Sequence, residues 1–449
     1  MLFSSLVFFV FWPICFVVWF LAPESKRIWV LILGSLIFYG YWNYYYTLLP
    51  LLLTLLAFVI VRFGVQGKYN KKIFLFLGIF LLISPLIYFK YSNFIFATEV
   101  TDYELPLGIS FITFTLIAYV IDVAKGEYKT KEGLKNLSAY ILFFPQLIAG
   151  PILRPKNLLP QLKKYSLKQD LNFSLGILFF CIGLLKKIMI ADTLSTLVDP
   201  VYLDPSSASL TEFLKAFYGF SAQIYFDFSG YTDMAIGIAL VFGIRLPINF
   251  QSPYLAQSVR DFWRNWHMTL SQWFRDYIYI PLGGNHFGYV RTAFNLILTM
   301  TLCGIWHGSG WNFIVWGFVH GLLVSISRKP TDKIFFFHRT FRIFITFHVV
   351  SFLWVLFRAD SLSHAINFYL LFLDSIFLNE LSNSLVNILI TFFFIISFLL
   401  FHKYDSYKYI ERLNAKLNLT QKICFFLLSI VLVVVFSSGS SGDFIYFDF

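Results

Sequence analysis

The chain has 449 residues, of which 58% are apolar, 21% aromatic and only 13% charged, with a mean hydropathy of +0.72. A water-soluble domain averages nearer half apolar and a quarter charged. A cytosolic enzyme, a secreted disulfide scaffold and a disordered regulator are therefore excluded, and at about 20 apolar residues per crossing roughly a dozen spans are within reach. The net charge of +11 is the excess that cytoplasmic loops of membrane proteins carry; nucleic-acid binding would need a basic soluble domain, which is absent.

Apolar runs long enough to cross, or nearly cross, fall near residues 3–22, 28–43, 45–63, 73–90, 105–122, 172–190, 213–244, 292–306, 311–327, 341–357, 384–402 and 422–437. Lys26 and Arg27 follow the first run instead of preceding it. Residues 3–22 thus read as a retained span and not as a cleaved leader. The loops alternate in charge: 62–72, 154–168, 245–275, 328–342 and 403–422 are basic, while 99–104, 199–212, 374–380 and the tail are acidic or neutral. Basic loops stay inside, which puts both termini outside, and the even count of about twelve passes agrees. Lys186 and Lys187 lie toward the outer end of their span; snorkelling to the interface would accommodate them. Cys15, Cys181, Cys303 and Cys424 sit singly in apolar runs without metal or C-x-x-C spacing, as small core residues do.

Three stretches are not ordinary spans. Residues 137–151, with Pro145 and Pro151, should dip in and return. Residues 213–244 form an unusually long run that carries Asp227, Ser229, Gly230, Tyr231 and Asp233. Residues 292–327 form a hairpin broken at Gly308-Ser309-Gly310. Irregular backbone at membrane depth survives only when buried in protein or lining a wet cavity, so these segments point to an internal cavity. The fold expected is an all-α polytopic membrane protein with re-entrant and interfacial helices.

Of the eight histidines, His307 stands apart. A helix from Arg291 rises about 24 Å to reach it at 1.5 Å per residue, and an ionisable group at that depth is a functional candidate. The neighbouring Gly304, Gly308 and Gly310 would permit a sharp turn and close approach of a substrate; a histidine bonded across helices for packing is the alternative. Read as one helix, residues 259–277 place Phe262, Trp266, Leu270, Trp273 and Tyr277 in an apolar stripe. Arg264, His267, Ser271 and Arg275 then share another face. Such a helix lies on anionic lipid, or its arginines hold a phosphate-bearing cofactor, since guanidinium forks match phosphate oxygens. No P-loop, His-x-x-x-His pair or G-x-S-x-G elbow occurs.

The runs Leu105-Pro106-Leu107-Gly108-Ile109-Ser110-Phe111, Phe144-Pro145-Gln146-Leu147-Ile148-Ala149-Gly150-Pro151, Tyr225-Phe226-Asp227-Phe228-Ser229-Gly230-Tyr231-Thr232-Asp233-Met234-Ala235, Arg260-Asp261-Phe262-Trp263-Arg264-Asn265-Trp266-His267, Arg275-Asp276-Tyr277-Ile278-Tyr279-Ile280-Pro281-Leu282-Gly283-Gly284-Asn285 and Trp306-His307-Gly308 together resemble the membrane-bound O-acyltransferase family. They are most similar to its bacterial alginate and peptidoglycan O-acetylating branch. The resemblance implies one membrane domain over residues 1–449, forming a ring of helices around a thin catalytic centre, with the family's paired histidines at His267 and His307. It implies acetyl-CoA as donor, its phosphates near Arg260, Arg264 and Arg275 and Trp306 beside it. No permanently bound cofactor is implied. His307 would be the base and His267 would orient the thioester or support the site. Acetyl would cross the inner membrane to an extracytoplasmic SGNH-type acetyltransferase and thence to peptidoglycan, with alginate, another exopolysaccharide or D-alanyl transfer as alternatives. A homo-oligomer is left open. The rival class is a transporter using His307, Asp227 and Asp233 as a proton relay.

Residues 437–449 read as a Gly/Ser linker and an aromatic tail, Phe444-Ile445-Tyr446-Phe447-Asp448-Phe449. Its rings should leave water and fold back onto the protein, either as a plug or, by resemblance to a partner of the D-alanyl system, with Tyr446 accepting the acyl group.

Overall fold

The computed structural model describes residues 1–67, 70–96, 104–129, 132–163, 171–327, 339–377, 381–436 and 444–445, the side chains of 381–388 and 433 excepted. Among these residues every regular element is helical. Each of the twelve apolar runs is realised as a helix. By length and composition, Tyr45–Val65, Lys71–Phe96, Phe173–Leu203, Arg339–Arg358 and Leu419–Phe436 can each cross a bilayer, as can the bent pair Leu389–His402 and Tyr407–Lys416 taken as one span. The protein is an all-α polytopic membrane protein.

Helix Leu362–Phe377 has no counterpart in the expected runs, and part of it was expected as an acidic loop. Its start is legible after the fact: the Ser361 hydroxyl accepts the His364 N–H at 3.1 Å, a serine cap ahead of an apolar run.

The chain divides into two compact units. The first comprises Met1–Leu184, Tyr231–Pro247 and Lys416–Gly439. Its interior is aromatic, with Phe38 and Phe144 ring centroids 5.4 Å apart and Phe8 within 6.4 Å of both. The expected dip over 137–151 becomes Leu134–Leu142 and Phe144–Leu147, hinged at Phe143; neither is long enough to cross. The polar groups freed at the hinge are taken internally: the Phe144 N–H donates to the Ser35 hydroxyl (3.1 Å), the Gln146 amide to the Tyr140 carbonyl (2.7 Å), and the Tyr140 hydroxyl to the Leu153 carbonyl (2.7 Å). That satisfaction is what lets a broken backbone stay buried.

The second unit comprises Leu185–Gly230, Ile248–Ala415 and Ser440–Phe449. It holds the first part of Leu210–Val241, a single helix of 32 residues. Ser209 and Glu212 start that helix reciprocally: the Ser209 N–H donates to the Glu212 carboxylate at 2.8 Å, and the Glu212 N–H to the Ser209 hydroxyl at 3.4 Å.

Lys186 and Lys187 do not snorkel to the interface as expected. Both lie on a π-helical turn, Lys186–Ala191, and both are buried. Lys186 pairs with Asp405, and the Lys187 ammonium lies 2.8 Å from Asp192 and 2.8 Å from Asp227. A buried ammonium costs several kcal/mol unless it is paired, and here each has a carboxylate at contact distance, so neither needs to reach the interface.

Candidate active site

Helices Gly288–His307 and Trp311–Ile326 form the expected hairpin, broken at residues 308–310. Their backbones touch. A Cβ on Gly304 would stand 2.2 Å from the Phe313 carbonyl oxygen, and one on Gly317 2.4 Å from that of Met300. Gly304 therefore serves helix packing and not the approach of a substrate. Gly308 and Gly310 are extended, at φ −157° and −151°, so the turn needs no glycine-only conformation; a side chain at 308 would instead strike the Phe313 ring. His307 ends its helix, buried, with the ring centroids of Trp306, Phe357 and Trp316 at 4.8, 5.1 and 5.3 Å. Asn312 fixes the turn from beyond, its amide donating to the Leu356 and Ala359 carbonyls at 3.1 and 2.8 Å. These lie at the end of Arg339–Arg358, where helix carbonyls lack intrahelical partners.

The single amphipathic helix expected over 259–277 does not form. Val259–Asn265 and Met268–Phe274 are separate helices, with Trp266 extended and His267 left-handed at φ 41°. Asn249 is the reason. Its backbone carbonyl accepts the Met268 N–H at 2.9 Å, and its side-chain oxygen accepts the Thr269 N–H (3.2 Å) and hydroxyl (2.9 Å). Asn249 thus caps the second helix from outside and pulls the chain out of register. His267 consequently leaves the arginine face and is fully buried.

Its Nδ1 lies 3.2 Å from the same Asn249 oxygen. An oxygen that receives the Thr269 N–H is an acceptor, so the network assigns the proton to Nδ1 and the lone pair to Nε2. His267 lies outside the membrane-spanning helices, and burial pushes its pKa down to about 3, which keeps the ring neutral and basic in form at physiological pH.

An aromatic series joins the two histidines. Phe228 is 4.7 Å from the His267 ring, Trp306 is 6.2 Å from His267, and Trp306 is 4.8 Å from His307. The expected cofactor residue Trp306 thus stands between the histidines. The three expected arginines lie together elsewhere in this unit: Arg260, Arg264 and Arg275, with Met268, Tyr279 and Cys303, line a cavity of about 420 Å³ whose lining does not include Trp306. Arg264 and Arg275 are exposed and Arg260 half-buried. Asp276 engages the Arg275 fork at 2.7 and 3.1 Å. Tyr446 lies outside the described residues. Sequence reasoning missed Asn249, whose only signal is a polar residue two positions after Pro247 at the head of the basic loop.

This arrangement of an apolar, histidine-centred cluster and a basic cavity suits transfer of a group from an anionic carrier. The model of the membrane-bound O-acyltransferase family matches residues 36–365. The chain belongs to that family. It is therefore an acyltransferase, and the transporter reading is set aside. A peptidoglycan O-acetyltransferase of Helicobacter pylori is 37% identical over 81% of this chain and 78% of its own length. A probable alginate O-acetylase of Pseudomonas aeruginosa is 38% identical over 82% and 74%. A teichoic acid D-alanyltransferase of Bacillus subtilis is 30% identical over 58% and 70%. Both histidines and all three arginines fall inside the family match, whereas Tyr446 lies beyond it.

Proposed function

We propose that this acyltransferase moves acetyl from acetyl-CoA at the cytosolic face of the inner membrane to the outside, for O-acetylation of peptidoglycan. The observation that carries the reading is the pair of buried histidines flanking Trp306, in a unit that also holds the arginine-lined cavity. The names borne by the relatives support acetyl as the group and an envelope polymer as its destination. Basic loops inside and both termini in the periplasm are the orientation that goes with it.

In this reading the coenzyme's phosphates lie at Arg260, Arg264 and Arg275. A ring nitrogen of His307 takes the proton from an acceptor hydroxyl as its oxygen attacks the thioester carbonyl. The new C–O bond forms, the C–S bond breaks, and the departing thiolate recovers the proton. His267, held by Asn249, orients the thioester. The acceptor is the Tyr446 phenol, which is mostly protonated near neutral pH and needs a base. Its acetyl ester then passes the group to the hydroxyl of an extracytoplasmic SGNH-type transferase, because phenolate leaves more readily than an alkoxide.

Alginate or another exopolysaccharide is the second reading, supported by the 38% identity to the Pseudomonas aeruginosa relative against 37% to that of Helicobacter pylori. Deleting the gene and measuring O-acetyl content in muropeptides and in exopolysaccharide separates the two: loss from muropeptides alone is the expected result. Tyr446→Phe keeps the ring and loses one hydroxyl, and is expected to abolish polysaccharide acetylation. A normal rate in that variant means acetyl passes directly to another acceptor.

A further inference from the structure

Asp227 is fully buried in the middle of Leu210–Val241 and does more than balance Lys187. One carboxylate oxygen lies 2.8 Å from the Lys187 ammonium. The other accepts the backbone N–H of Ile445 at 2.8 Å, a contact across 218 positions of chain. Beside it, Phe444 is buried, its ring centroid 5.9 Å from that of Phe228 in an edge arrangement. Phe228 is the same residue whose ring lies 4.7 Å from His267. A buried carboxylate is costly unless its oxygens are satisfied, and here one is satisfied by an ammonium and the other by the tail.

We propose that Asp227, Lys187 and Phe228 form a built seat for the C-terminal segment, holding it by one main-chain N–H and one aromatic ring. The seat's chemistry suits a segment with a ring at one residue and an available N–H at the next, and its occupant is this chain's own Phe444-Ile445. Lys187 acts through Asp227: its ammonium, shared between Asp192 and Asp227, holds one oxygen of the carboxylate whose other oxygen accepts the tail N–H. Asp227 and Lys187 are positioning residues. The role of the seat in transfer rests on the reading of Tyr446 as acceptor; its existence does not.

The test is thiol labelling of the full-length protein in membranes, with a cysteine placed by Gly442→Cys in a Cys424→Ser background, since Cys424 is exposed and the other three cysteines are buried. Phe444→Ala and Asp227→Leu are expected to raise the maleimide reaction rate at position 442 about tenfold or more. Asp227→Asn, which keeps an acceptor but loses the ion pair, should fall between parent and Asp227→Leu. Phe444→Ala alters only the tail, so its result is independent of any folding defect in the core variants. Unchanged labelling in Phe444→Ala and in a well-inserted Asp227→Leu overturns the seat. If labelling rises but acetyl transfer continues at the parental rate, the seat stands and the Tyr446 reading fails. If labelling and loss of transfer move together across the series, both stand.

Discussion

His307 ends a regular helix of 20 residues, whereas His267 sits where two helices of seven residues fail to join. The first is placed by packing: three aromatic rings surround it and glycines let its helix lie against the next. The second is placed by hydrogen bonds, and its left-handed backbone costs about 1–3 kcal/mol, of a kind that persists where surroundings over-determine it and clusters at functional sites. Asn249 supplies that determination through three contacts to one oxygen. Three aromatic rings enclose His307, whereas the turn at His267 depends on the hydrogen bonds that Asn249 supplies.

The largest effect expected is on His307. His307→Ala should lower acetyl transfer by about 10²–10⁴-fold, the usual worth of a general base, with membrane level unchanged. The check is acetyl transfer per inserted protein, and a rate within tenfold of the parent removes His307 as the base.

Next comes the asparagine. Asn249→Leu should lower kcat about tenfold to a hundredfold, roughly 1.4–2.7 kcal/mol at 1.36 kcal/mol per decade, with little change in KM for acetyl-CoA. Asn249→Asp keeps the acceptor and should restore most of the rate. It also sets a carboxylate at Nδ1, which favours the imidazolium and raises the His267 pKa from about 3. Protonation then begins at higher pH, so the acid limb of the rate should shift upward. A parental kcat in Asn249→Leu breaks the contrast between the two histidines.

The contrast also explains what could be read from the chain. The His307 hairpin was legible because its apolar runs and glycine break are local, and the twelve runs marked helices for the same reason. The break at His267 was invisible, because residues 259–277 carry a good helical stripe and the cap that interrupts it comes from a side chain 18 positions upstream. Lys186 and Lys187 misled similarly. Two adjacent lysines near a span end suggest snorkelling; besides the nearby Asp192, their partners Asp227 and Asp405 lie far along the chain. Local patterns announced the elements; the polar pairs that bend and anchor them are long-range.

The smallest effects belong to the arginine-lined cavity, and there the three residues are not equivalent. Arg264 is exposed and Arg260 half-buried in the cavity wall, while the Arg275 fork is already engaged by Asp276 at 2.7 and 3.1 Å. Exposed charge pairs are individually weak, so single Arg260→Ala and Arg264→Ala variants should raise KM for acetyl-CoA only about threefold to tenfold, ~0.65–1.4 kcal/mol. Arg275→Ala should do less, because Asp276 already offsets its charge. The sign reverses for the partner: Asp276→Asn removes a carboxylate that competes with phosphate for the fork, and should lower KM. Both effects should shrink as salt is raised, since screening acts on exposed charges. If KM is unchanged in all four variants at low salt, the arginines hold the protein on anionic lipid and the coenzyme binds elsewhere.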